Sequence, residues 1–198
     1  MGYQNIDNGL DGRYEDTNTT TLELCIGLMI SSYRGLPMYL DNQSKKIWRH
    51  SQQRTLANKN IAVIGNGSIG ARLRYLKLIM PNINIVNFSK NGRNKSIKID
   101  DFDELIHTFD VIVVFAPLTE ETKNMFNEER FSKMKDGCLF INMSKGELVD
   151  TEALINELNK DRIFAAIDQV DPDPLPPEHP LWDCPNLIIT PHVGSNAR

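Results

Sequence analysis

No run of apolar residues in this sequence approaches the roughly 20 that a membrane span needs, and Met1-Gly2-Tyr3-Gln4 does not open a signal peptide. The expectation is no membrane and, by default, a cytoplasmic location. Cysteine is scarce: Cys25, Cys138 and Cys184 are odd in number, far apart and without a CxxC pair. Neither a disulfide framework nor a zinc site is expected from them, only reduced thiols. A strong charge of either sign is missing too, the net charge being -4. Nothing in the global balance advertises a nucleic-acid or anionic-membrane partner, so any anion site must be local. Internal repeats of about 20 to 50 residues are absent, which excludes solenoids and propellers. One absence is local: no Asp or Glu occurs from Ser68 through Ile99, where Arg72, Arg74, Lys77, Lys90, Arg93, Lys95 and Lys98 all fall.

What is present fits one ordinary soluble domain. At 198 residues, with 40% hydrophobic and 24% charged residues, the chain can bury one good core. Residues 1 to 18 are polar and show no period, so they read as an irregular lead-in. From Thr19, Leu22, Leu24, Cys25, Leu28 and Met29 recur at helical spacing, with Asn18 or Thr19 placed to cap. Gly35-Leu36-Pro37 interrupts, and Pro37 suits the first turn of a second helix running toward Ile47 and Trp48. Strands and helices then alternate. Ile61–Ile64, Ile83–Phe88, Val111–Phe115, Cys138–Asn142, Ile163–Ile167 and Leu187–Ile189 are short apolar runs. Helical patterns lie between them at 69–79 and near 101–107, 127–134 and 150–159. Strands apolar on both faces belong in a parallel sheet covered by helices, which gives a doubly wound α/β fold with an N-terminal helical arm. Residues 171–180 hold five of the ten prolines and read as a stiff loop between the last two strands. His50, His107 and His179 match no motif and read as surface residues.

Gly65-Asn66-Gly67-Ser68-Ile69-Gly70 is G-x-G-x-x-G placed directly after a strand and opening a helix. The pattern alone is weak; the strand–turn–helix context makes it specific. Gly65 permits the tight turn, Gly67 lets the backbone approach a pyrophosphate, and Gly70 lets helix and strand pack closely, while amides at the helix start face the anion. Units that bind NAD place a carboxylate about 20 residues further on, where it accepts from the ribose hydroxyls. Asn87-Phe88-Ser89-Lys90-Asn91-Gly92-Arg93 stands there instead. A hydroxyl and cations would hold the 2′-phosphate of NADP through charge-assisted hydrogen bonds. Ser89, Lys90 and Arg93 are therefore the candidates, with NADP(H) as the expected cofactor and NAD as the lesser alternative.

The second half of the chain carries several further motifs in order: Ala116-Pro117-Leu118-Thr119-Glu120-Glu121-Thr122, Asn142-Met143-Ser144-Lys145-Gly146-Glu147-Leu148-Val149-Asp150, Asp168 through Pro174, and Thr190-Pro191-His192-Val193-Gly194-Ser195. With the glycine loop they resemble the D-isomer-specific 2-hydroxyacid dehydrogenase family. That resemblance implies a Rossmann cofactor domain and an oxidoreductase moving a hydride between nicotinamide and a small 2-hydroxy or 2-oxo acid. It also implies further cofactor contacts at Ala116, Pro117, Thr122, Met143, Ser144, Asp168, His192 and Gly194, with Asp168 toward the nicotinamide amide. The family's catalytic Arg, Glu and His fall by position on Lys145, Asp173 and His192; only His192 keeps the residue type. Lys145 supplies charge without the planar fork of a guanidinium, and Asp173 is one methylene shorter than Glu. A catalytically impaired nucleotide-binding or regulatory module is therefore the alternative. On this resemblance residues 1–18 are the remnant of a substrate domain that the chain is expected mostly to lack. Residues 19–50 form connecting helices that pair two cofactor domains in a homodimer, and 51–198 form the cofactor domain.

Overall fold

The computed structural model describes residues 17–80 and 82–196; of the lead-in expected over 1–18, residues 1–16 lie outside the described residues and the last two are helical. Seven strands form one parallel sheet: β1 (Asn60–Ile64), β2 (Asn84–Ser89), β3 (Ser96–Lys98), β4 (Val111–Val114), β5 (Leu139–Asn142), β6 (Phe164–Ile167) and β7 (Leu187–Ile189). Their spatial order is β3-β2-β1-β4-β5-β6-β7. The chain winds outward from β1 in one direction and from β4 in the other, so the connections after those neighbouring strands diverge and leave a crevice at their carboxyl ends. The expected doubly wound α/β fold is present.

Alternation along each strand sends side chains to two cores. Ala62, Ile64, Ile112, Val114, Phe140, Ala165 and Ile167 face one layer, where Phe88, Phe102, Phe109, Phe126 and Phe131 pack edge to face and tilted. Ile61, Val63, Val111, Val113, Leu139, Ile141 and Ala166 face the other layer, built on α1 (Thr17–Tyr33) and α3 (Ser68–Leu73). Each fully buried large side chain contributes about 1.5–3 kcal/mol. The central strands are therefore the most stable part of the molecule, and the loops at their carboxyl ends are anchored on it.

Several local expectations are corrected. Helix α1 already includes Thr17, so Asn18 and Thr19 lie in its first turn and do not precede it as caps. Its apolar stripe is spent on its own sheet: Cys25, Leu28, Met29 and Tyr33 are buried in the second core. Helix α2 (Leu36–Ser44) starts with Pro37 in its first turn but ends before Ile47 and Trp48, which are 49% and 92% exposed. The helical pattern at 69–79 divides into α3 and a 3-10 segment, Arg74–Leu78, leaving Leu78 and Ile79 exposed. Near 101–107 there is one α-helical turn, α4 (Phe102–Leu105), between 3-10 turns, whereas α5 (Glu128–Lys133) and α6 (Thr151–Asn159) fall as expected. Strand β3, only three residues long and mostly exposed, carries no apolar run and is invisible in the sequence pattern. His179 is not merely a surface residue: its Nδ1 accepts from the Leu181 amide and caps the 3-10 turn Pro180–Asp183.

Candidate functional site

The glycine loop follows β1, and its three glycines answer to different demands. Gly65 has φ of +114°, and a Cβ there would lie 2.7 Å from the Phe115 carbonyl oxygen. A Cβ on Gly70 would lie 2.5 Å from the Gly65 carbonyl and 3.2 Å from Val63. Both glycines are required by the chain's own backbone. Gly67 is not: among the described residues a Cβ there meets nothing within 4 Å. Gly67 precedes α3, whose start no side chain caps, with exposed Ser68 and half-buried Ile69 beyond it. Space beside Gly67 and an uncapped helix start therefore coincide at this loop.

The loop is locked by side chains that the sequence reading overlooked. Asn87 on β2 is 3% exposed, and its Nδ2 donates to the carbonyls of Gly70 at 2.9 Å and Gly65 at 3.4 Å. Arg74 donates to Asn66 Oδ1 at 2.8 Å and to Asn87 Oδ1 at 3.4 Å. Asn66 Nδ2 in turn donates to the carbonyls of Arg93 and Asn94, each at 3.1 Å. A buried Asn in an apolar strand was the available signal, since such a group must find partners. Asn87→Ala is expected to lower stability by about 1–3 kcal/mol, read as a lower urea midpoint with unchanged slope.

Beside the loop lies a cleft of about 890 Å³, lined among others by Gly65, Asn66, Ser89, Lys90, Ala116, Pro117 and Thr122. Thr122 shapes its far wall, donating to the Pro117 carbonyl at 2.7 Å while accepting from the Thr119 amide at 2.8 Å. Ser89 shares a 2.7 Å hydrogen bond with Ser96 on β3. Arg93 is exposed and is not among the lining residues; its carbonyl also accepts from Ser96. The stretch 68–99 has no carboxylate of its own, and the tertiary structure brings three from outside it, because Asp100, Glu120 and Glu121 join the lining. Lys90 is paired with Glu121.

Further along the same edge, the loops after β5, β6 and β7 come together. Asn142 at the end of β5 accepts from the Ser144 amide at 3.0 Å and donates to the Lys145 carbonyl at 3.2 Å, fixing the turn that displays exposed Lys145. Ser144 Oγ donates to the Val114 carbonyl at 3.3 Å, tying that turn to the end of β4. A Cβ on Gly146 would collide with the Val170 backbone, so this turn sits against the chain leaving β6. Asp168 is 2% exposed. One of its oxygens accepts from Thr190 Oγ1 at 2.6 Å and the Val193 amide at 3.0 Å, the other from the Gly194 amide at 2.9 Å. Its carboxylate is thus engaged in holding the 190–194 loop. Thr20 and Thr21 of α1 clamp the same loop from outside, donating to the Gly194 carbonyl at 2.9 and 3.0 Å. Met143 and Thr21 also flank Gly194.

His192 stands on this doubly fastened loop with φ of +55°. Its Nδ1 lies 2.8 Å from Asp173 Oδ2. Asp173 arrives from the proline-rich stretch, where the Asp171–Pro172 and Asp173–Pro174 bonds are both cis. A carboxylate on Nδ1 fixes the ring and leaves Nε2 to exchange a proton. The dyad is therefore assembled although its residues stand 19 positions apart.

A glycine loop after β1, a crevice at the β1/β4 divide and an Asp–His pair at the same edge match one known arrangement. The family model for the D-isomer specific 2-hydroxyacid dehydrogenase NAD-binding domain matches residues 26–194. The chain belongs to that family. Glyoxylate/hydroxypyruvate reductase B of Escherichia fergusonii is 35% identical over 144 residues, covering 70% of this chain and 44% of its own. A D-isomer specific 2-hydroxyacid dehydrogenase of Xanthobacter autotrophicus, solved in complex with NADPH and MES, is 28% identical with a TM-score of 0.80, over 92% of this chain and 60% of that one. The NAD-dependent formate dehydrogenase of Staphylococcus aureus, solved with NAD, has the same identity of 28% and TM-score of 0.80, over 90% and 56%. The chain spans about half the length of the curated relatives it matches. As a 2-hydroxyacid dehydrogenase family member it carries a nicotinamide-binding domain, and among its described residues no helix is long and apolar enough to cross a membrane.

Proposed function

We propose that this chain binds NADP(H) in preference to NAD(H) and serves hydride transfer between nicotinamide and a small 2-hydroxy or 2-oxo acid. The observation that carries the reading is Gly67, a glycine that nothing among the described residues demands, in the G-x-G-x-x-G turn between β1 and α3. The preference for NADP(H) rests on Ser89 and Lys90 in the cleft lining, in the place where an NAD-binding carboxylate would stand. The relative from Xanthobacter autotrophicus solved with NADPH is consistent with it.

A nicotinamide cofactor, when bound, supplies or accepts the hydride. His192 then moves a proton to or from the 2-oxygen of the acid, oriented by Asp173 through Nδ1. Lys145 provides positive charge for the carboxylate and for the charge developing on the carbonyl oxygen. Asp168 and Gly194 hold the histidine loop in register with the cofactor, and Met143, Ser144, Ala116, Pro117 and Thr122 line its path. In this reading residues 51–198 are the cofactor domain and 19–50 carry pairing of two copies as a homodimer. That pairing draws on exposed Leu40, Ile47 and Trp48, since the stripe of α1 is already covered. Free, buried Cys25 and Cys138 accord with a reducing cytoplasmic setting.

Parallel titrations with NADPH and NADH test the reading, with NADPH expected to bind about tenfold more tightly through its extra phosphate. NADPH absorbance is then followed with glyoxylate, hydroxypyruvate or pyruvate, and Lys145→Arg is expected to raise turnover. Tight binding with no turnover on any of these acids would favour a nucleotide-binding module, to which the Lys145 and Asp173 departures also point. Affinity for neither nucleotide would overturn the reading.

A further inference from the structure

Lys90 and Glu121 face each other across the mouth of the cleft. Lys90 follows β2 directly, Glu121 lies on the 116–122 segment after β4, and both line the cavity. Lys90 Nζ is 2.8 Å from one oxygen of Glu121 and 2.5 Å from the other. The lining also contains Asp100, Glu120 and a second cation, Arg130. Arg130 is already engaged: it grips both oxygens of Asp103 at 2.7 and 3.1 Å and donates to the Met125 carbonyl at 2.7 Å. Among the described lining residues carboxylates therefore outnumber cations, and the cation nearest the end of β2 is partnered across the opening.

We propose that Glu121 is a specificity-determining residue: it competes with the 2′-phosphate of NADP for Lys90 and holds down the preference for NADP that the basic stretch alone would give. The proposal rests on the reading of this cleft as a nicotinamide-dinucleotide site. A phosphate monoester carries a charge of about −1.5 to −2 at neutral pH, enough to draw a flexible ammonium with three donors away from a single carboxylate. The exchange leaves Glu121 beside the phosphate without its partner, and the two anions repel. NADH carries a neutral hydroxyl at that position, so the Lys90–Glu121 pair stays closed over it. The charge of Glu121 thus acts on one cofactor and not on the other.

Because both side chains are largely exposed, at 72% and 68%, added salt screens the competition within a Debye length of about 10 Å at 0.1 M. The test is a titration of wild type, Glu121→Gln, Lys90→Gln and the double variant with NADPH and with NADH, at low and high sodium chloride. Glu121→Gln is expected to tighten NADPH by about 3- to 10-fold at low salt, to change NADH by less than about twofold, and to lose most of its effect at high salt. In the Lys90→Gln background the same substitution is expected to gain clearly less, since the pair is coupled. Equal tightening of both nucleotides, or no tightening of NADPH in a chain that binds it, overturns the proposal while leaving the dinucleotide site standing. A wild-type chain that binds neither nucleotide overturns both.

Discussion

Gly65→Ala is expected to abolish measurable binding of either nicotinamide nucleotide and to lower folding stability by about 2–4 kcal/mol. Two independent conflicts converge at this residue. Its φ of +114° is strained for any side chain, and the added methyl would press on the Phe115 carbonyl at 2.7 Å. Phe115 follows β4 and Gly65 follows β1, so relief must part neighbouring strands of the central sheet or unwind the turn. Either movement displaces the loop that would cradle the diphosphate. The matched control is Gly67→Ala, where the φ of −73° is ordinary and the methyl meets no atom of the described residues within 4 Å. That variant is expected to keep its thermal midpoint while its affinity for both nucleotides falls about tenfold, because the space belongs to the ligand's close approach. Thermal unfolding and nucleotide titration of the pair separate the two demands. A Gly67→Ala chain that binds normally would remove the main support for the cradle.

Under the proposed function, His192→Asn is expected to lower kcat with NADPH and glyoxylate by about 10²- to 10⁴-fold, the usual contribution of a positioned acid–base group. Asparagine is chosen because it tolerates the φ of +55° that His192 adopts. The Asp168 and Thr20 hydrogen bonds to the loop can then persist, and the affinity for NADPH is expected to change by no more than a few-fold. Asp173→Asn is expected to cost less, about tenfold or more in kcat, since the ring keeps its place on the loop but loses the carboxylate at 2.8 Å that orients it. Steady-state kinetics with the nucleotide saturating, beside a separate NADPH titration, distinguish these effects from a general loosening of the site. A His192→Asn chain with undiminished turnover would remove the histidine from the chemistry.

Much of this molecule is written in local pattern. Ile61-Ala62-Val63-Ile64 and Val111-Ile112-Val113-Val114 are apolar on both faces because both faces are covered, and only a parallel sheet between two layers provides that cover. Asp150 before α6 and Asn127 before α5 accept from the amides of Ala153 and Arg130, so both helix starts are fixed by neighbours along the chain. The glycine loop is legible for the same reason: its residues are adjacent, and two of its glycines answer to backbone a few residues away or one strand over.

Less legible was whatever depends on residues distant in sequence. The hydroxyl of Thr20 reaches Gly194 across 174 positions. Buried Asp168, read from its motif as a nicotinamide contact, directs both carboxylate oxygens into the histidine loop. The end of α2 before Trp48 and the division of the 69–79 helix are no more legible, since apolar residues continue past both helix ends at positions the fold leaves exposed.

The sequence by itself determined the order of the six apolar strands and the helical stretches between them, the glycine turn and the residue types available for proton transfer, because hydrophobic period and backbone sterics act between near neighbours. The tertiary structure alone decided the electrostatics of the cleft and the closeness of His192 to Asp173. Charge acts through space, and only the folded chain brings Glu121 to Lys90 and the proline-rich stretch to the end of β7.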